Sequence, residues 1–287
     1  SVAAFAPVGW YALIFLTMGG LYALLGQAAD EGGRACDGAL IGGAFGFGLF
    51  IAGVSWIYVS LSVFGNMAPP LAALATVLFC AFLALYPALA GALFVRFAPA
   101  AGWRRGLFFA ALWTLGEWLR GWLLTGFPWL AAGYAQGSSN PLAGFAPLFG
   151  VYGVSLLVVL VAALLREALR CGFRPCRLAR NGALMFIMAI FIAGGLLRGH
   201  PWTTPQGEPM SVALLQGNIA QDTKWDPVRF SEQLLTYYRL MLENPAQFTV
   251  LPETALPVFL SDVPADYLGA MERLAARQNG ELLFGVP

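Results

Sequence analysis

Residues 71–97 read LAALATVLFCAFLALYPALAGALFVRF, and the one charge in them is Arg96, at the end. A helix needs about 20 apolar residues to cross a bilayer. A run of this length and hydropathy is therefore read as a membrane-spanning helix. Five further runs of similar character surround it, at 5–25, 39–63, 106–124, 147–165 and 182–197. The punctuation between them is polar or rich in Gly and Pro, as in NMAPP at 66–70. Small residues inside the runs, such as Gly42, Gly43, Gly46 and Gly53, suit the close backbone approach of helices packed in lipid.

Composition agrees. Hydrophobic residues make up 59% of the 287, charged residues 11%, and the mean hydropathy is +0.71. A soluble domain usually carries about 25% charged residues, so a water-soluble globule is excluded. The net charge of +1 leaves no basic face for nucleic acid, and no nucleic-acid partner is expected. The first run lacks the basic leader of a secretory signal, and the chain stays apolar well beyond it.

Arginine placement predicts the topology, because cytoplasmic loops carry the excess of basic residues. The segment between the last two runs holds Arg166, Arg170, Arg174, Arg177 and Arg180 against Glu167. Arg104 and Arg105 follow the third run. Both segments are expected in the cytoplasm, and everything after the sixth run outside it. The loop with Arg34, Asp30, Glu31 and Asp37 opposes the trend, but acids count little in this rule. Cys36, Cys171 and Cys176 then fall in cytoplasmic loops and Cys80 inside a span, so no disulfide is expected. Their spacing, with His200 the single histidine, does not fit zinc. His200 reads as a solvated interfacial residue. No metal and no cofactor is expected.

The character changes near Pro209. Strands are predicted at 211–216 (SVALLQ), 249–251 and 282–286, and helices at 228–243 and 265–278. Phe230, Leu234, Leu235, Tyr238, Met241 and Leu242 mark the apolar face of the first helix. Strand, helix, strand, helix, strand implies an α/β domain with a mostly covered sheet. The expectation is a polytopic helical bundle of about six spans over residues 1–200 and the opening of an α/β domain over 201–287. The final predicted strand runs to within one residue of the end, so the domain is expected to be truncated.

Two places carry chemistry. In LPETALP (251–257), Glu253 follows a predicted strand, where α/β sheets put their reactive groups, and prolines fix the backbone on both sides. A carboxylate there can serve as a general base, or simply start a helix or face water. In GEWLRGW (116–122), Glu117 and Arg120 share one helix face near the outer end of a span. Charges inside a membrane are functional candidates by default. The alternative is a structural ion pair, with the tryptophans, Trp129 among them, forming an interfacial belt.

Read together, GEWLRGWLLTGFPWLAAGYAQ (116–136), LLQGNIAQDTKWDP (214–227) and LPETALP resemble the apolipoprotein N-acyltransferase family over the whole chain. The resemblance implies a membrane bundle fused to a nitrilase-like domain. It implies an acyl chain passed from a membrane phospholipid to an enzyme cysteine as a thioester. The acyl chain then goes to the α-amine of a diacylglyceryl-cysteine on a lipoprotein. It places the protein in the bacterial inner membrane, multi-pass, with the α/β domain periplasmic. Of the family's Glu, Lys and Cys, Glu253 matches the base that takes the thiol proton. Trp225 matches a functional tryptophan, and Glu117, Arg120 and Trp129 fall in the family's substrate or loop motif. The family's Lys and Cys lie beyond residue 287, and Lys224 sits in a different motif, so those roles are not transferred. The segment as given is expected to be inactive, lacking also a span at each end. Three other readings stand beside this one: a membrane-anchored amidase of the same superfamily, a transporter, and a non-catalytic binding scaffold. A transporter would put ionisable residues near the midplane, and Glu117 and Arg120 lie near one end.

Overall fold

The computed structural model describes residues 1–137, 140–170 and 177–287. Two compact units divide at Thr203–Thr204.

Unit 1 is helical. Its elements are α1 (Ala12–Asp30), α2 (Ala35–Gly53), a short α3 (Trp56–Val59), α4 (Pro69–Phe97), α5 (Trp103–Arg120), α6 (Ala146–Arg170) and α7 (Arg177–Gly199). Among the described residues five helices are long and apolar enough to cross a membrane, namely α1, α2, α4, α6 with the turn before it, and α7. α5 has 18 residues, but it carries Arg104, Arg105, Glu117 and Arg120. It is still packed among the others, with Phe109, Ala110 and Trp113 buried.

Several boundaries differ from those expected, each for a local reason. The first helix begins at Ala12, seven residues late, because a 3₁₀ turn at Val2–Ala4 and Pro7 precede it. α2 stops at Gly53, a poor helix former, and the chain restarts as α3 and a π turn at Ser60–Phe64. α5 ends at Arg120 rather than 124. Beyond it Leu124, Thr125 and Gly126 have φ of 53°, 73° and 77°, left-handed values that no helix continues through. The segment expected as a loop at 166–181 is helical at both ends, in α6 to Arg170 and in α7 from Arg177. Cys171, Arg174 and Cys176 lie outside the described residues.

Packing follows the small residues. α2 lies on α4 with Gly38, Gly42 and Gly46 turned to it, and a Cβ at Gly38 would strike the Gly91 carbonyl. Elsewhere aromatic edges fill the core. Tyr22, Phe94 and Phe109 meet with ring centroids 5.4–5.9 Å apart, a favourable edge-to-face range. Val154, Val158 and Val161 of α6 close the core.

Unit 2 is a three-stranded parallel sheet, β1 (Val212–Leu214), β2 (Phe248–Val250) and β3 (Glu281–Leu283), in the order β1-β2-β3. α8 (Phe230–Glu243) and α9 (Ala265–Arg277) connect the strands. The strands step the same way and α8 packs against α9, so both helices lie on one face, as crossovers of one hand require. The expected covered sheet is therefore covered on one side only. Val212, Leu214 and Leu283 are 51%, 77% and 56% exposed. The buried face of α8 is also rotated from the expected one. Gln233, Leu234, Tyr237 and Met241 are buried, whereas Leu235 and Leu242 are exposed.

Candidate functional site

The C-terminal end of α5 and the loop after it form a tightly bonded knot. Glu117 is buried, and its Oε1 accepts from the indole N–H of Trp113 at 2.7 Å and from the backbone N–H of Ala132 at 2.8 Å. Trp113 sits one turn before Glu117 on the same helix. Ala132 begins the 3₁₀ turn Ala132–Gln136. Ser155 of α6 accepts from the next N–H, that of Gly133, at 2.8 Å. The second carboxylate oxygen, Oε2, is buried with no partner within hydrogen-bond geometry.

Arg120 is buried as well. One guanidinium nitrogen donates to the carbonyl of Phe127 at 2.7 Å and to that of Trp129. The guanidinium carbon lies 5.0 Å from the Phe50 ring centroid. Glu117 and Arg120 were expected to pair. They share a buried helix face, but no nitrogen–oxygen approach between them falls within 4.0 Å. Each instead holds the backbone of the 121–137 loop, Glu117 through an N–H and Arg120 through two carbonyls. Arg120 thereby orients Trp129, which is 49% exposed and stacks on Phe127 with centroids 5.0 Å apart. A cavity of about 190 Å³ borders Arg120, lined also by Phe79, Tyr86 and Gly126. Trp113 and Ser155 belong to this knot and were not singled out from sequence. An indole four residues before a carboxylate, and a hydroxyl inside an apolar span, were the available signals.

In unit 2, Glu253 lies just past the C-terminal end of β2 and is exposed. The loop carrying it is held along β3 and the residues that follow it. Leu251 donates to the Leu283 carbonyl at 2.9 Å. Gly285 runs so close that a Cβ there would sit 2.6 Å from the Thr254 nitrogen and 3.1 Å from the Glu253 Cα. Thr254 has a φ of 51°, an uncommon value for a non-glycine residue, and Ala255 and Leu256 bury themselves beneath it. Trp225, in the loop after β1, is 56% exposed. Its neighbour Lys224 donates to the Glu253 carbonyl at 3.4 Å, a long bond. The Gln233 amide of α8 donates to the Thr223 and Lys224 carbonyls at 3.2 and 3.1 Å. The loops bearing Trp225 and Glu253 thus meet at the C-terminal edge of the sheet.

These features define a class: a multi-pass helical bundle joined to the opening strands of a parallel α/β domain, with a glutamate at the strand ends on a closely held backbone. A sequence model of the apolipoprotein N-acyltransferase N-terminal domain matches residues 1–164. The chain is 44% identical to the apolipoprotein N-acyltransferase of Nitrosomonas europaea, over all of this chain and 56% of that protein. It is 45% identical to that of Chromobacterium violaceum, over 99% of the chain and 53% of that protein. For Coxiella burnetii the figures are 40%, 99% and 57%. The chain belongs to the apolipoprotein N-acyltransferase family and is a multi-pass bacterial membrane protein. It spans about half the length of the curated relatives it matches.

Proposed function

We propose that this chain supplies the membrane bundle and the first strands of the catalytic domain of an N-acyltransferase. The enzyme moves an acyl chain from a membrane phospholipid, through an enzyme thioester, to the α-amine of a diacylglyceryl-cysteine on a bacterial lipoprotein. The observation that carries the reading is Glu253, held at the end of β2 by Gly285 and by the buried Ala255 and Leu256. In the full-length protein it acts as general base toward the cysteine thiol, which is nucleophilic only once deprotonated. The lysine and cysteine of the family's triad are not assigned to residues of this chain.

Trp225 is assigned to substrate contact beside Glu253. Glu117 and Arg120 are assigned as positioning residues that fix the 121–137 loop, and Trp129 as the aromatic that this loop presents. One guanidinium nitrogen of Arg120 is committed to two carbonyls, and the positioning role rests on those bonds. The bundle, residues 1–200, crosses the inner membrane six times, α5 included, and the α/β domain, 201–287, lies on the periplasmic side. The arginines at the Trp103 end of α5 support that orientation.

The test is transfer by the full-length protein in lipid nanodiscs, with labelled phospholipid and a synthetic diacylglyceryl-cysteinyl peptide. A mass gain of one acyl chain on the peptide amine is expected. Hydrolysis of a water-soluble amide without acyl transfer would favour the amidase reading and overturn this one.

A further inference from the structure

The Trp103 end of unit 1 holds a feature that plays no part in the reading above. A groove of about 620 Å³ opens between α5, α6 and α7, within the ~300–1,000 Å³ typical of ligand pockets. Leu160 and Leu164 of α6, both buried, form its floor, and Leu107 of α5 and Phe186 of α7 form its walls. Its origin is visible in the sequence. α7 turns Ala179, Gly182 and Ala183 toward the groove, small residues that leave the gap unfilled. Further along α7, Ile187 and Ile190 are buried.

The mouth of the groove is basic and aromatic. Trp103 is 62% exposed there, with the Arg104 guanidinium 5.5 Å from its ring centroid. Arg180 lines the groove. Glu167, the acid among the lining residues, is engaged by the Tyr22 hydroxyl at 2.6 Å. Beside it, Arg105 and Arg170 each sit 2.8 Å from the one carboxylate of Asp30. To Arg180 in the groove and Arg104 over Trp103 at its mouth, the adjoining pocket adds Arg105, Arg166 and Arg170 against Asp30, Glu31 and the shared Glu167, a positive excess of two over both.

An apolar groove on a membrane-embedded surface is filled by an acyl chain, and its basic mouth selects the headgroup. Basic pockets between membrane helices on the cytoplasmic side recur as sites for anionic headgroups, and arginine holds phosphate through paired hydrogen bonds. We propose that this groove binds one anionic phospholipid of the leaflet at the Trp103 end. An acyl chain lies between α5, α6 and α7, the phosphate sits against Arg104 and Arg180, and Trp103 lies at the glycerol level. This lipid is distinct from the acyl donor. The reading above puts acyl transfer on the periplasmic side, at the Arg120 end of the 18-residue α5, and 17 steps of 1.5 Å put Trp103 about 26 Å from Arg120.

The experiment is native mass spectrometry of the full-length protein from mixed micelles of equimolar phosphatidylglycerol and phosphatidylethanolamine, counting retained lipids. The wild type should retain one phosphatidylglycerol in clear preference to phosphatidylethanolamine. Arg104→Gln with Arg180→Gln should erode that preference by about fivefold per arginine. Ala183→Phe, which fills the groove, should expel the lipid while both arginines remain. Millimolar inorganic phosphate should not displace it. Equal retention of the two lipids by the wild type would overturn the proposal, as would an unchanged preference in the double arginine variant. Displacement by phosphate alone would overturn it too, by reducing the site to an anion site without an acyl chain. Should Ala183→Phe fail to fold, the Arg104 and Arg180 variant still decides.

Discussion

Replacing Glu117 by Ala and, separately, by Gln separates its hydrogen bonds from its charge. The carboxylate oxygen Oε1 serves two buried donors, the Trp113 indole and the Ala132 amide. Alanine leaves both without an acceptor. Interactions of this kind in membrane bundles are worth about 0.6–1.7 kcal/mol each, so the loss is about 1–3 kcal/mol. For a full-length protein roughly twice as long as this chain, at about 2.1 cal/mol/K per residue, that corresponds to a melting point lower by roughly 1–3 °C. Glutamine keeps an oxygen at the same reach, and its amide nitrogen falls where Oε2 has no partner. It should lose less than half as much. The assay is thermal unfolding of the full-length protein in detergent, followed by intrinsic tryptophan fluorescence. Alanine melting like the wild type would refute the pinning role. Glutamine melting as low as alanine would show that charge, not the two bonds, matters.

Arg120→Lys, which cannot span both carbonyls with one planar group, should loosen the 121–137 loop, read as faster proteolytic nicking there. Unchanged nicking would contradict it. Gly38→Leu should collapse the α2–α4 contact, because the added side chain meets the Gly91 backbone; folded yield in detergent reports it. Gly285→Ala should displace the Glu253 loop and lower acyl transfer more than it lowers the melting point. Burial pushes the Tyr267 hydroxyl up to about 12, and that oxygen has no partner. The folded state therefore resists ionisation that the unfolded chain undergoes near pH 10, and stability falls as pH rises from there toward 12. Tyr267→Phe should remove that alkaline loss and leave stability at pH 7 nearly unchanged, as pH-dependent melting would show.

The helices were legible because length and hydropathy alone demand them, and the strand–helix alternation because periodicity switches near Pro209. What the sequence hid is backbone chemistry. The i, i+3 spacing of Glu117 and Arg120 suggests an ion pair. Their real partners, an amide at Ala132 and carbonyls at Phe127 and Trp129, appear in every sequence and mark none. The end of α5 depends on the left-handed turn at Leu124 and Thr125, residue types that give no warning of it. The α8 face was misjudged because hydropathy ranks Leu235 and Leu242 above Gln233. Yet Gln233 is buried, since its amide ties down the Trp225 loop. The nearness of Lys224 to Glu253 likewise arises only when β1 and β2 pair in parallel.

The most direct test of the account is the acyl-enzyme itself. Full-length wild type and Glu253→Gln are mixed with labelled phospholipid without acceptor, and label on the protein is followed over time, with folding checked by thermal melting. The account predicts that the wild type accumulates a thioester and that folded Glu253→Gln acylates about 10²–10⁴-fold more slowly, the usual loss when a positioned base is removed. Wild-type acylation by the folded variant would contradict it.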